Sequence, residues 1–155
     1  MMTEAPCISA LSSPRTRRPF PERERALFYP RLIWLLPAAF TLHVMEEAPG
    51  FASWVEGTIH GHMNPVAFYV NNAIFMAILV GLCGFAARRR TPLATGALFV
   101  MAAGQFFWNA VFHLYTTIAF HAYSPGVVTA TFLYVPLFLY LAYVAVRERF
   151  VSPGA

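Results

Sequence analysis

Four long apolar stretches constrain this chain more than any other feature. They cover residues 32–45, 66–87, 93–120 and 127–146, with lengths of 14, 22, 28 and 20 residues. The last three contain no Asp, Glu, Lys or Arg, and about 20 apolar residues suffice to cross the hydrocarbon core of a bilayer. Lipid leaves backbone polar groups without solvent partners, so such stretches must be helices. The first stretch reaches spanning length only by including flanking residues.

Composition supports the bilayer as the solvent of this chain. Hydrophobic residues make up 58% of the sequence and charged residues only 12%, whereas a soluble domain carries about 25% charged residues. We therefore predict an all-α fold, a four-helix transmembrane bundle in a membrane domain over 27–147. The predicted helices lie at about 31–47, 66–87, 93–120 and 127–146.

The two ends of the chain are predicted to lie outside this domain. Residues 1–26 are rich in Arg, Pro and Ser, a composition typical of a disordered tail. Residues 148–155 form a second, shorter tail.

The distribution of arginine predicts the orientation in the membrane. All 11 basic residues are Arg, in three clusters before the first stretch, between the second and third, and after the last. The connections at 48–65 and 121–126 contain none. Positively charged loops stay on the cytoplasmic side, so both termini are predicted to be cytoplasmic. The same clustering argues against nucleic acid as a partner, because no basic face on a soluble fold is available.

A His-x-x-Glu-Glu motif stands at the end of the first stretch. At about 100° per residue, Glu46 and Glu47 lie on either side of His43 on one helix face. Ionisable side chains at membrane depth are costly and mark functional sites by default. The motif therefore predicts a site near the outer end of the first helix.

Polar side chains on the other helices are predicted to reach the same depth. Gln105, Asn109 and His113 follow one another at intervals of four residues, which gives one continuous face. The pair Asn71–Asn72 lies near the outer end of the second helix, and Tyr123 lies in the turn that enters the fourth. All four helices thus offer polar groups to the outer half of the bundle.

Three of these motifs carry a family resemblance. His43 to Glu47 matches HxxEE, Asn109 to His113 matches NxxxH, and residues 123–126 read Tyr-Ser-Pro-Gly and match YxPG. The chain resembles the HXXEE family of bacterial integral membrane proteins over about residues 32–145. The resemblance implies a location in the bacterial inner membrane and a site at these motifs. It implies no particular reaction.

The residue types in the site favour a metal-dependent enzyme. His43, Glu46, Glu47 and His113 are the predicted ligands, and this donor set suits Zn²⁺, Fe²⁺ or Mn²⁺. We expect Glu46, Glu47, Asn109 and Tyr123 to take part in catalysis. The membrane location points to a lipophilic small molecule as the substrate, with the lipid bilayer as the surroundings.

Two alternatives stay open on the sequence alone. The first needs no metal: a glutamate with a raised pKa and a histidine could perform acid–base isomerisation or cyclisation of an isoprenoid- or sterol-like substrate. The second is a non-enzymatic membrane subunit or proton pathway, which is disfavoured because the cytoplasmic half offers few polar groups. His60 and His62 are expected in a solvated loop, with a role as additional ligands as the alternative.

Overall fold

The computed structural model describes residues 31–89 and 91–147, and every regular element in these ranges is helical. Helix α1 spans Leu35–Glu47 and α2 spans Phe51–Gly57. Helix α3 spans Pro65–Arg89, and α4 spans Pro92–Phe120. Helix α5 begins at Val127, is apolar to Val144 and ends at Arg147. The two predicted tails, 1–26 and 148–155, lie outside the described residues.

The prediction of four membrane-spanning helices is corrected to three in the described part of the chain. Helices α3, α4 and α5 are long and apolar enough to cross a membrane, with 25 residues in α3, 29 in α4 and 18 in the part of α5 that ends at Val144. Helix α1 has only 13 residues, which span about 20 Å at 1.5 Å per residue, against about 30 Å of hydrocarbon. A turn at Ile33 and Trp34 separates it from helical Arg31 and Leu32, and Pro49 and Gly50 follow it. The cytoplasmic location of the termini stays a prediction.

The helix ends follow from local sequence. The side-chain oxygen of Asn64 accepts a hydrogen bond from the Val66 amide, just at the start of α3. The Thr91 hydroxyl accepts one from the Ala94 amide at the start of α4, and Pro92 occupies the first helical position, where its missing amide costs nothing. Arg88 and Arg89 lie in the last turn of α3, where positive charge complements the helix dipole.

The helices pack around one apolar core. It joins Leu36 and Phe40 of α1, Leu79 of α3, Phe106 of α4 and Tyr134 of α5, all nearly inaccessible. The opposite faces of the long helices are apolar yet exposed, for example Leu93 at 79% and Phe132 at 77%. This arrangement is the one expected of helices surrounded by lipid rather than by water.

Two turns of π-helix interrupt the long helices near the middle of the bundle. They span Ala103–Trp108 in α4 and Ala130–Tyr134 in α5, and the two segments contact each other. Each widens its helix locally. The turn in α5 ends at Tyr134, which contacts the polar cluster described next, and the turn in α4 contacts Tyr134 through Phe106; π turns often occur at functional sites.

A candidate metal centre

Three buried side chains bring potential metal ligands together between α1 and α4. The Nε2 atom of His43 lies 3.4 Å from Glu47 Oε1, and the Nε2 atom of His113 lies 3.2 Å from the same oxygen. One ligand atom from each of the three residues lies within 4.8 Å of the others. Both histidines are fully buried and Glu47 is 5% exposed. The cluster is therefore closed to bulk solvent in this conformation.

The helix period explains why His43 and Glu47 share a face. They are four residues apart on α1, so their side chains lie one above the other. His113 faces them from α4, and its ring centroid lies 5.1 Å from that of His43. Among the described residues, neither Nε2 atom has a hydrogen bond of acceptable geometry, although both are inaccessible. Two buried nitrogens thus lie within ion-pair distance of a carboxylate but lack the well-formed hydrogen bond that buried polar atoms normally have.

Glu46 lies outside this cluster, although the sequence placed it among the predicted ligands. Its Oε1 accepts hydrogen bonds from the Tyr123 hydroxyl at 2.6 Å and the Val128 amide at 3.1 Å. Its Oε2 accepts from the Thr129 amide at 2.7 Å and the Thr129 hydroxyl at 2.6 Å. Both carboxylate oxygens are therefore engaged at the start of α5, whose first amides have no partner within the helix.

Tyr123, a predicted catalytic residue, contacts Glu46 rather than the cluster. Its side chain is 57% exposed in the connection between α4 and α5. The hydrogen bond that it donates to Glu46, together with partial burial and the carboxylate charge, raises the pKa of Tyr123 to about 12. The phenol thus stays protonated at neutral pH and ties this connection to the end of α1.

The other nitrogen of each histidine contacts a hydroxyl of a residue that was not among the predicted ligands or catalytic residues. Nδ1 of His43 lies 2.8 Å from Thr129 Oγ1. Nδ1 of His113 lies 2.9 Å from Ser124 Oγ. Ser124 belongs to the Tyr-Ser-Pro-Gly motif, so that motif was a usable signal. No sequence signal pointed to Thr129, because the hydroxyl of a threonine in an apolar helix usually donates a hydrogen bond to its own helix backbone.

Gly126 closes the site from the side of α5. Its φ is +99°, a conformation that glycine adopts readily and other residues rarely. A Cβ atom there would lie 2.7 Å from His43 Cε1, 2.9 Å from Glu47 Cγ and 2.9 Å from His113 Cε1. The backbone at Gly126 therefore lies directly against all three members of the cluster, which explains why this position has no side chain.

Aromatic rings hold the two imidazoles in place. The ring centroid of Tyr134, at the end of the π turn in α5, lies 4.5 Å from that of His43. Phe106, in the π turn of α4, lies 4.1 Å from Tyr134. On the other side, Phe112 and Phe51 lie 5.2 and 6.0 Å from His113. No sequence pattern indicated these contacts specifically, because aromatic residues occur throughout the apolar stretches.

The remaining polar residues of interest lie outside the cluster. The Asn109 side-chain oxygen is inaccessible and has no hydrogen-bond partner in the described part of the chain. Asn72 donates to the Phe68 carbonyl of its own helix at 2.9 Å, which is a structural role. His60 and His62 are both exposed and are not among the clustered ligand atoms.

Fold and site together define a class: an apolar helical protein with helices long enough to cross a membrane and a buried cluster of two histidines and a glutamate. The family is identified by its sequence model. Residues 34–141 match the model described as a protein of unknown function with HXXEE motif, and the chain belongs to this family. No curated protein and no solved structure matches the chain significantly.

Proposed function

We propose that this protein is an intramembrane metal-dependent enzyme that acts on a lipophilic small molecule in the bacterial inner membrane. The proposed metal ligands are His43, Glu47 and His113. One observation carries the proposal: three ligand atoms of suitable type converge in a buried site where two of them lack hydrogen-bond partners within the described residues.

The distances support a metal ion at this position. Zn²⁺ binds histidine nitrogen and carboxylate oxygen at about 2.0–2.1 Å in tetrahedral geometry, which places neighbouring ligand atoms about 3.3 Å apart. The two distances to Glu47 Oε1 are 3.4 and 3.2 Å. A cation between these atoms would also give both buried imidazole nitrogens the partner that they lack by hydrogen-bond geometry in the described residues.

The number of ligands supports catalysis rather than a purely structural role. Structural zinc sites are usually closed by four protein ligands, whereas catalytic sites have three and keep one position for water or substrate. The clustered set contains three residues. Two histidines and one carboxylate also suit non-haem Fe²⁺, which leaves positions open.

The surroundings support a lipophilic substrate. The cluster lies among aromatic side chains, with Tyr134 against His43 and Phe51 and Phe112 against His113. The helices that carry these residues expose apolar faces, so a substrate dissolved in the bilayer can approach the bundle directly. A bound metal would supply a Lewis acid or a water of lowered pKa, and the aromatic side chains would exclude bulk water from it.

Metal analysis of the purified protein tests the proposal. We expect about one equivalent of Zn²⁺, Fe²⁺ or Mn²⁺ in the wild type, and its loss in His43→Ala and in the more conservative Glu47→Gln. His121→Ala is the matched control, because His121 is exposed and lies outside the cluster. Metal-free wild-type protein that also fails to bind added metal would refute the proposal.

A second candidate is metal-free acid–base catalysis, such as isomerisation or cyclisation of an isoprenoid- or sterol-like substrate. The same short contacts favour it, since a proton held between Glu47 and the imidazoles would also supply the missing hydrogen bond. The two candidates differ in the metal assay. Loss of isomerase or cyclase activity in Glu47→Gln, with no metal bound in any variant, would support metal-free catalysis.

A further inference from the structure

A hydroxyl bridges the two halves of the His-x-x-Glu-Glu motif. Thr129 Oγ1 lies 2.8 Å from His43 Nδ1 on one side and 2.6 Å from Glu46 Oε2 on the other. His43 belongs to the proposed metal centre, whereas Glu46 does not contact it. The bridge therefore connects a carboxylate outside the cluster to a ligand inside it.

The available protons determine which group donates in each hydrogen bond of this bridge. A threonine hydroxyl has one proton to donate, whereas an ionised carboxylate can only accept. Glu46 receives two backbone amides, from Val128 and Thr129, and amides can only donate. Its four contacts are all accounted for if the carboxylate is ionised. The Thr129 hydroxyl then donates to Glu46 at 2.6 Å, in preference to the carbonyl of Gly126 at 3.3 Å.

In its remaining contact, the Thr129 hydroxyl oxygen then accepts a hydrogen bond from His43 Nδ1. Since its only proton is directed to Glu46, the oxygen can accept a hydrogen bond but cannot give a second one. His43 must therefore carry its proton on Nδ1, and in the neutral ring Nε2 is left with a lone pair. That lone pair points at the cluster, where Nε2 lies 3.4 Å from Glu47 Oε1.

The other histidine is not constrained in this way. His113 Nδ1 contacts the Ser124 hydroxyl at 2.9 Å, and no contact of that hydroxyl to a carboxylate is seen in the described residues. A lone serine hydroxyl can serve as donor or acceptor. The two ligands thus differ: the surroundings of His43 fix its tautomer, whereas the contact to Ser124 allows His113 either tautomer.

We propose that Glu46 acts through Thr129 as a positioning residue that holds His43 in its Nδ1-protonated tautomer, so that Nε2 is ready to bind metal. This inference deepens the proposed function and rests on it. It also gives the two adjacent glutamates of the motif separate tasks: Glu47 binds the metal, and Glu46 orients a histidine that does. Such outer contacts typically change metal affinity 10–100-fold.

Two measurements on the full-length protein in detergent test the proposal. The first is Zn²⁺ affinity by competition with a chelator. We expect Thr129→Val and Glu46→Gln to weaken binding about 10–100-fold, and Thr129→Ser to stay close to the wild type, because serine restores the hydroxyl. Thr131→Val is the matched control on the same helix, since the Thr131 hydroxyl is buried without a partner among the described residues.

The second measurement is the tautomer of His43 in the metal-free protein, read from long-range ¹H–¹⁵N spectra of histidine-labelled samples and assigned with His43→Ala. We expect a proton on Nδ1 in the wild type and in Thr129→Ser, and a shift toward Nε2 protonation in Thr129→Val. This readout distinguishes positioning from a general loss of structure, which would not move one tautomer selectively.

The outcomes separate this inference from the proposed function. If the wild type binds no metal but Thr129→Val changes the His43 tautomer, the metal centre is refuted, whereas the control of the His43 tautomer by Thr129 is supported. If Thr129→Val keeps the wild-type tautomer, or keeps the wild-type Zn²⁺ affinity, the positioning role is refuted. Thr129→Ser keeps the test decisive should Thr129→Val fail to fold, because a serine variant that behaves unlike the wild type would also refute it.

Discussion

Replacement of Gly126 by alanine is the sharpest single test of the site geometry. The added Cβ would lie 2.7–2.9 Å from His43 Cε1, Glu47 Cγ and His113 Cε1. Contacts below 3.0 Å do not persist, so the backbone of α5 or all three side chains must move. None of these three side chains can swing away into solvent, because all three are buried.

The expected magnitude has two parts. A φ of +99° costs a residue with a Cβ about 1–2 kcal/mol, and an extra methyl group in a tightly packed interior costs roughly 1–3 kcal/mol. We therefore expect a loss of about 3 kcal/mol. At about 2–4 °C per kcal/mol for a chain of this size, this corresponds to a thermal midpoint lower by about 10 °C.

Thermal unfolding in detergent and bound metal per protein measure this effect. Gly96→Ala is the matched control, because a Cβ at Gly96 meets nothing within 4 Å and alanine favours a helix by up to about 1 kcal/mol. We expect Gly126→Ala to melt lower and to lose metal, with Gly96→Ala equal to or above the wild type. A Gly126→Ala variant with wild-type midpoint and metal content would refute the described approach of α5 to the cluster.

Two further predictions concern groups around the site. The pKa of Tyr123 is raised from 10 to about 12, so its bond to Glu46 contributes stability that is complete below about pH 10 and is lost as pH rises through about 12. The thermal midpoint of the wild type should therefore fall toward that of Tyr123→Phe over this range, and a constant difference would contradict the assignment. Phe106→Ala removes the ring that packs on Tyr134 behind His43. It should lower stability by on the order of 2 kcal/mol, below the 3–5 kcal/mol of soluble cores, because helices that associate in lipid gain no hydrophobic transfer energy from burying a phenyl ring; an unchanged denaturation midpoint would contradict this.

Much of the fold could be predicted from the sequence, because three apolar stretches have sharp boundaries. The predicted helices 66–87, 93–120 and 127–146 correspond to α3, α4 and α5. The prediction that the first helix spans the membrane is wrong, since hydrophobicity does not reveal that a turn at Ile33 and Trp34 interrupts this helix. The π turns were not predicted either, because a uniformly apolar stretch has no periodicity that could mark a change of pitch.

The sequence indicated where the cluster lies but not which of the two adjacent glutamates belongs to it. His43 and His113 belong to two different motifs that were predicted to lie at the same depth, and their side chains do meet. Glu46 and Glu47, however, lie at similar angles from His43 on a helix. Which of them faces α4 depends on how α1 is rotated against its neighbours, and that is a property of packing. The roles of Thr129 and Gly126 depend in the same way on the approach of α5.

The π turn at Ala103–Trp108 has a consequence for how this chain can vary in length. Each i→i+5 hydrogen bond of this turn encloses one residue more than the i→i+4 hydrogen bond of an α-helix. Deleting a single residue there would restore α-helical pitch and leave the rotation of the helix beyond it nearly unchanged, so His113 would still face His43. Relaxation of the same turn to α-helical pitch with no residue removed would instead rotate everything beyond it by about 100° and carry His113 away from His43. The π turn thus gives α4 a tolerance of one residue in length without a change in the direction in which His113 points.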